Sequence, residues 1–229
     1  MIRDLFIFII PLNAMNQSLL KYNFIAIEGN IGAGKTTLAT RLSDDFNTRL
    51  ILERFENNSF LPKFYEQPEA FAFPLEMSFL ADRYQQLKDK LAMPELFSSQ
   101  TISDYFIDKS LIFARNNLGP DEFNLYARLF QIISAFLPRP DLLVYLYLDI
   151  DGLLKNIKKR GRDYEQNIQP GYLEQIQMGY LNHFRVLTGM RILIIDTGRV
   201  DFMENESDYR SFLEIINMDY EPGIHRILL

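Results

Sequence analysis

A glycine-rich segment near the amino end of the chain most constrains how this protein can fold. Residues 22 to 37 read YNFIAIEGNIGAGKTT and contain the pattern Gly-x-x-x-x-Gly-Lys-Thr. An apolar run typical of a strand precedes the pattern, and LATRLSDDF, which is typical of a helix, follows it. The glycines can adopt positive φ, so backbone N–H groups can turn towards one anion at the start of the helix. We therefore predict a phosphate-binding loop; a turn that merely joins strand to helix is the alternative.

Within this loop, two side chains have predicted roles. Lys35 is expected to reach the β- and γ-phosphates of a nucleotide, and the hydroxyl of Thr36 is expected to hold Mg²⁺.

Composition favours a small ligand over a nucleic acid. The 229 residues carry a net charge of −6, whereas general nucleic-acid binders need an excess of Lys and Arg. Cys is absent, which fits a reducing compartment and excludes thiolate metal sites. The apolar start of the chain is shorter than a membrane span, so residues 1 to 21 are interpreted as an N-terminal extension before one domain at 22 to 229. A targeting signal is the alternative.

Short apolar runs alternate with helical segments along the rest of the chain. Five runs rich in Ile, Leu and Val are predicted as buried strands, at 24–28, 49–53, 101–104, 142–149 and 191–196. Segments with helical periodicity lie between them, at 71–92, 123–137, 151–160 and 170–187. This order predicts an α/β fold with a parallel five-stranded sheet covered by helices, and ligands at the carboxyl ends of the strands.

Acidic residues end two of the predicted strands. Glu53 ends the second strand, and its carboxylate could accept a proton from a hydroxyl that attacks the γ-phosphate. Asp104 ends the third strand and could approach Mg²⁺ through bound water. The alternatives are a surface glutamate, solvated or paired with Arg54, and an aspartate that caps the next helix.

Polar residues in two helical regions are further candidates. The segment KKRGRDYEQNI, residues 158 to 168, places Arg160, Arg162 and Glu165 close together. The arginines could close over a phosphoryl group, or form a solvated basic helix end. Glu76 and Arg83 share one face of their predicted helix, which lines a polar pocket or is partly exposed.

Taken together, these segments resemble the deoxynucleoside kinase family of P-loop enzymes from Phe24 to about Asp196. The motifs that carry the resemblance are EGNIGAGKTTL at 28–38, Glu53 followed by NNSFLPKFY at 57–65, FLADR at 79–83, SDYFIDKSLIFA at 103–114 and KKRGRDYEQNI at 158–168.

The resemblance implies a P-loop NTPase-like, three-layer fold with a lid, and Mg²⁺- and ATP-dependent phosphorylation of a nucleoside 5′-hydroxyl in a cytoplasmic homodimer. The implied ATP-binding residues are Gly29, Asn30, Ile31, Gly32, Ala33, Gly34, Lys35, Thr36 and Thr37. Glu53 matches the residue that activates the hydroxyl, and it joins Lys35 and the lid residues Arg160 and Arg162 as the predicted catalytic set. Tyr65 and Glu165 match residues that hold the sugar 3′-hydroxyl, and Arg83 matches one that faces the base. No nucleic-acid polymer or membrane is implied as a partner.

Two departures from the family pattern matter. Asp104 retains the acid that the family associates with substrate and metal. The next residue is Tyr105 and not the usual arginine, which leaves the partner of Glu53 open. Glu76 stands where the family commonly has a glutamine. Because an ionised Glu only accepts hydrogen bonds, it suits the two adjacent donors of guanine. We therefore predict a purine deoxynucleoside substrate, with deoxyguanosine ahead of deoxyadenosine.

Two other functions remain open at this point. A nucleoside monophosphate kinase, such as thymidylate kinase, would need extra positive charge for the acceptor phosphate. A nucleotide-switch module specific for guanine would usually carry Asn-Lys-x-Asp, which the sequence lacks.

Overall fold

The structure, a computed structural model, describes residues 20–55, 58–92 and 100–229. Six strands in this part of the chain form one parallel sheet in the order β2-β3-β1-β4-β5-β6. The strands are β1 (Phe24–Gly29), β2 (Arg49–Ile51), β3 (Thr101–Ser103), β4 (Leu142–Tyr147), β5 (Arg191–Asp196) and β6 (Gly223–Leu228). The predicted α/β fold with a parallel sheet is confirmed.

Helices connect the strands and cover the sheet. They are α1 (Lys35–Phe46), α2 (Phe60–Glu66), α3 (Pro68–Ala92), α4 (Lys109–Asn117), α5 (Pro120–Ser134), α6 (Ile150–Arg160), α7 (Pro170–Val186) and α8 (Glu206–Ile216), with a short 3-10 helix at Asp163–Glu165. None of these described helices has the length and apolarity needed to span a bilayer.

The predicted number of five strands is wrong, because β6 adds a sixth strand at one edge of the sheet. This strand pairs only with β5, and alternate residues along it are exposed. Its sequence includes His225 and Arg226 and therefore lacks the continuous apolar run by which the buried strands were predicted.

Both faces of the sheet are buried along the strands β1, β4 and β5, as expected for a parallel sheet. Along β4, Leu142, Val144 and Leu146 contribute to a core with α1, α6 and α8, whereas Leu143 and Tyr145 face a second core with α3, α4, α5 and α7. A smaller apolar cluster joins α2 to α3.

Strand order brings the predicted site residues together at the carboxyl ends of neighbouring strands. β1 leads into the glycine-rich loop, and β3 lies between β1 and β2. Asp104 follows β3 directly, and Glu53 lies just beyond β2. Residues 1–19, which hold most of the predicted extension, lie outside the described residues, so that boundary stays a prediction.

Candidate active site

A cleft of about 780 Å³ lies beside the carboxyl ends of β1, β2 and β3. All the predicted catalytic and substrate-binding residues line it, although they come from segments far apart in sequence. These residues are Lys35, Thr36, Glu53, Tyr65, Glu76, Arg83, Asp104, Arg160, Arg162 and Glu165. The structure therefore brings the predicted set together, while their individual roles remain predictions.

A second, larger cleft adjoins the first on the other side of the glycine-rich loop. Its lining includes residues 32 to 37 of the loop, the face of α6 and the segment from 197 to 204. Lys35, Thr36, Glu53, Arg160 and Arg162 line both clefts. One cleft can thus hold a phosphate donor and the other an acceptor, with their reacting ends at this shared boundary.

The glycine-rich loop has the backbone conformation that phosphate binding needs. Gly32 and Gly34 have φ of 86°, which glycine adopts readily, and Gly34 caps the amino end of α1. Asn30, also predicted to bind ATP, instead directs its buried side-chain amide to the carbonyl of Leu173 at 2.8 Å. The Asn30 side chain therefore connects the loop to α7.

Lys35 is held within the loop. Its Nζ donates to the carbonyl oxygen of Asn30 at 2.9 Å. Burial lowers the pKa of Lys35 to about 8, and the positive charge of Lys109 lowers it further, while nearby carboxylates oppose both effects. A phosphate group would favour the ammonium form and offer it a stronger acceptor than a carbonyl.

Asp104 links the two sides of the site. Its Oδ2 accepts a hydrogen bond from the hydroxyl of Thr36 at 2.5 Å, and its Oδ1 accepts one from the backbone N–H of Glu53 at 2.7 Å. Hydroxyl and carboxylate oxygens are ligands that suit Mg²⁺. Among the described residues, no cluster of three or more His, Asp or Glu side chains could hold a metal ion, so nucleotide phosphates and water would supply the further oxygens.

Glu53 lies between two cations, which answers the question that the missing arginine left open. Oε1 accepts from Arg83 Nε at 2.8 Å and Nη2 at 2.6 Å, and Oε2 accepts from Lys109 Nζ at 2.5 Å. Burial alone would raise the pKa of Glu53, but Lys109 and Arg83 together lower it well below its ordinary value. Glu53 is therefore ionised and fixed in orientation, not solvated or paired with Arg54.

Arg83 connects Glu53 to the helix α4. Its remaining terminal nitrogen, Nη1, donates to the hydroxyl of Ser110 at 2.7 Å, and the guanidinium lies over the ring of Phe79. The side chain is 4% exposed, so the observed ion pair to Glu53 is almost fully removed from water. The role of Arg83 in facing the base stays a prediction.

At the lid segment between α6 and α7, two arginines form ion pairs with one glutamate. Glu165 is buried and forms ion pairs with both Arg160 and Arg162. The Arg162 guanidinium also lies 4.0 Å from the ring centroid of Phe55. Tyr65 stacks on Tyr164 of the same segment, with ring centroids 5.8 Å apart. The two arginines thus point into the cleft region with their charge partly neutralised.

Glu76 is a buried acid with one oxygen available. Asn117 Nδ2 donates to its Oε1 at 2.7 Å, whereas Oε2 has no hydrogen-bond partner among the described residues. Burial raises the pKa of Glu76 to about 7, although Arg83 and the hydrogen bond from Asn117 act in the opposite direction. An unpartnered acceptor at a cleft wall is suited to a ligand that donates hydrogen bonds.

Three polar residues of the cleft were not predicted from the sequence: Lys109, Asn117 and Tyr172. Lys109 lies within the motif SDYFIDKSLIFA, but its significance depends on Glu53, which is distant in sequence. Asn117 likewise depends on its contact with Glu76. Phe64 and Tyr65 also line the cleft, and both belong, with Phe60 and Phe71, to the apolar cluster between α2 and α3.

Comparisons with known proteins agree with this geometry. The family model described as deoxynucleoside kinase matches residues 25–219. The chain is 40% identical over 190 residues to the deoxyguanosine kinase of Bacillus subtilis (strain 168), covering 81% of this chain and 92% of that protein. It is 30% identical over 217 residues to the deoxyadenosine kinase of Dictyostelium discoideum, covering 93% and 84%.

A solved structure of the deoxyadenosine kinase from M. mycoides with bound dATP has the same fold. It superposes with a TM-score of 0.73 at 22% sequence identity, covering 85% of this chain and all of that chain.

Proposed function

Because the chain belongs to the deoxynucleoside kinase family, and is thus an enzyme that phosphorylates a nucleoside hydroxyl, we propose that it transfers the γ-phosphate of ATP to the 5′-hydroxyl of deoxyguanosine, with deoxyadenosine as a second substrate. The observation that carries this proposal is the meeting of two clefts at Lys35 and Glu53. Family membership favours this reading over a monophosphate kinase or a nucleotide switch.

On the donor side, the glycine-rich loop would bind the phosphates of ATP. Backbone N–H groups at the start of α1 and the ammonium of Lys35 supply the positive charge. Thr36 and Asp104 would hold Mg²⁺, which when bound neutralises phosphate charge and places the γ-phosphate. Arg160 and Arg162 would exchange part of their contact with Glu165 for phosphate oxygens.

On the acceptor side, Glu53 would orient the 5′-hydroxyl and receive its proton. A carboxylate held by two cations is a weak base, but phosphoryl transfer depends mainly on position and charge. Tyr65 and Glu165 lie together at the lid and would bind the sugar 3′-hydroxyl; the contact between Tyr65 and Tyr164 supports this placement.

Guanine recognition is proposed for Glu76 together with Asn117. Ionised Glu76 keeps Oε2 and one lone pair of Oε1 for the two adjacent donors of guanine, N1–H and the 2-amino group. Adenine presents one donor beside an acceptor, so it suits the protonated acid better. Since the pKa of Glu76 is about 7, deoxyguanosine should be favoured most above that pH.

The proposal is tested by kcat/KM for the four deoxynucleosides with ATP and Mg²⁺, measured at pH 6 and pH 8. We expect the purines to exceed the pyrimidines and the ratio of deoxyguanosine to deoxyadenosine to be higher at pH 8. Glu76→Gln should lower that ratio and remove its pH dependence. A preference of the unmodified enzyme for a pyrimidine would contradict the proposal.

A cytoplasmic homodimer is also proposed. The absence of Cys fits a reducing compartment. Large apolar side chains are exposed on two helices that both contact α4: Ile132 of α5 and Val186 of α7, at 66% and 71%. Light scattering of the protein and of Ile132→Asp would test the dimer; an unmodified protein that is monomeric at micromolar concentration would contradict it.

A further inference from the structure

The two carboxylate oxygens of Glu53 are not equally available. Each carboxylate oxygen has two lone pairs. Oε1 accepts two hydrogen bonds, both from Arg83, and is saturated. Oε2 accepts one, from Lys109, and within the described residues nothing else donates to it. A hydroxyl that approaches Glu53 must therefore donate to Oε2, beside the Lys109 ammonium.

The position of Lys109 is unfavourable for the fold. The side chain is 6% exposed, and burying an ammonium group has a desolvation cost that the ion pair with Glu53 offsets only in part. Lys109 is also the first residue of α4, at the positive end of the helix dipole, where an acidic residue would be favoured. An arrangement that costs stability in this way is common where a site needs the charge.

Lys109 also has unused donors at the right place. An ammonium group carries three N–H bonds, and in the described part of the chain the one hydrogen bond of this group is to Glu53 Oε2 at 2.5 Å. Lys109 lines the same cleft as Lys35, which would bind the donor phosphates. A hydroxyl oxygen bonded to Oε2 would thus lie next to Nζ as well.

Building on the proposed function, we propose that Lys109 is a catalytic residue that replaces the arginine missing after Asp104: it holds Glu53 Oε2 and contacts the acceptor oxygen during transfer. In that step the 5′-oxygen forms a bond to the γ-phosphorus, and its proton passes to Glu53 Oε2. The bond from the γ-phosphorus to the bridging oxygen breaks, and its electron pair leaves with ADP. The positive charge of Lys109 stabilises the charge that develops.

The test compares Lys109→Met, which removes the charge, with Lys109→Arg, which keeps it. Because a single donor to a developing charge is typically worth about 100- to 1,000-fold in rate, Lys109→Met should lose about that factor in kcat with deoxyguanosine. The KM for ATP and the melting temperature should change little. Lys109→Arg should recover activity to within about tenfold of the unmodified enzyme. Lys88→Met, at an exposed lysine outside both clefts, is the matched control.

Two results would overturn the assignment. One is a kcat within threefold of the unmodified enzyme in Lys109→Met. The other is a Lys109→Arg protein that folds and binds ATP but is as slow as Lys109→Met. If Lys109→Met does not fold, Lys109→Gln, which can still donate to Glu53, takes its place: a large kcat loss supports the proposal and full activity overturns it. An unmodified enzyme that phosphorylates no deoxynucleoside would instead refute the proposed function itself.

Discussion

Replacing Glu76 by glutamine should stabilise the protein by an amount that grows as the pH rises from 4.5 to 8. Burial raises the pKa of Glu76 from its ordinary value of 4.5 to about 7. A tenfold change in proton affinity corresponds to about 1.4 kcal/mol, so ionising Glu76 in the folded protein costs about 3 kcal/mol. Gln has nearly the same shape as protonated Glu and avoids this cost.

The sign follows from proton binding in the two states. Between pH 4.5 and pH 7 the folded protein keeps the Glu76 proton, which the unfolded chain has lost. The stabilisation is therefore complete below pH 4.5 and is lost as pH rises through 7. Glu76→Gln lacks this loss, so its advantage should grow from about 1 kcal/mol at pH 5 to about 3 kcal/mol at pH 8. For a chain of this size, that corresponds to about 6 to 12 °C in melting temperature.

Thermal and urea unfolding of both proteins at pH 5, 6, 7 and 8 would measure the effect. Other titrating groups contribute to both proteins alike, so the difference between the curves isolates Glu76. Asp82→Asn, at an exposed acid in the middle of the same helix, is the control and should not depart from the unmodified protein. Parallel stability curves for Glu76→Gln and the unmodified protein would refute the reasoning.

Three further predictions concern the site. Glu53→Gln should lower kcat at least about 100-fold, as expected for loss of an acid–base group, while calorimetry shows unchanged ATP affinity; an equal loss of ATP binding would make Glu53 structural. Lys35→Ala should abolish transfer with a normal melting temperature, and residual transfer above one per cent would contradict its role. Gly32→Ala should destabilise the fold and weaken ATP binding, because its Cβ would lie 2.7 Å from the carbonyl oxygen of Leu153. Gly161 also has positive φ, but a Cβ at that position would meet open space, so Gly161→Ala should lower the free energy of unfolding by only about 1 kcal/mol through backbone strain. Equal losses of unfolding free energy in Gly32→Ala and Gly161→Ala would contradict the steric argument.

Much of the site could be predicted because its residues stand at the ends of strands. A parallel sheet places the carboxyl ends of its strands together, so Lys35, Glu53 and Asp104 had to meet once the strands were recognised. Local patterns sufficed for this, since each strand was a short apolar run. The edge strand β6 was not predicted because one of its faces is open to water, so its sequence is not a continuous apolar run.

The partners of these residues could not be predicted in the same way. Glu53 pairs with Lys109 across 56 positions, and Asn117 reaches Glu76 across 41. Such contacts depend on how α3 and α4 pack against each other, which no short pattern encodes. The lid residues Arg160 and Arg162 also turn to Glu165, a choice that the motif alone left open.

The sequence by itself indicated the kind of chemistry: a glycine-rich loop between strand and helix can turn its N–H groups towards an anion, and acids at strand ends lie on the same side of the sheet as that loop. Only the tertiary structure decided the electrostatic state of that chemistry. Burial sets how much a charge costs, and packing sets which cations offset it. For that reason Glu53 is ionised between Arg83 and Lys109, whereas Glu76, in the same cleft, keeps its proton up to about pH 7.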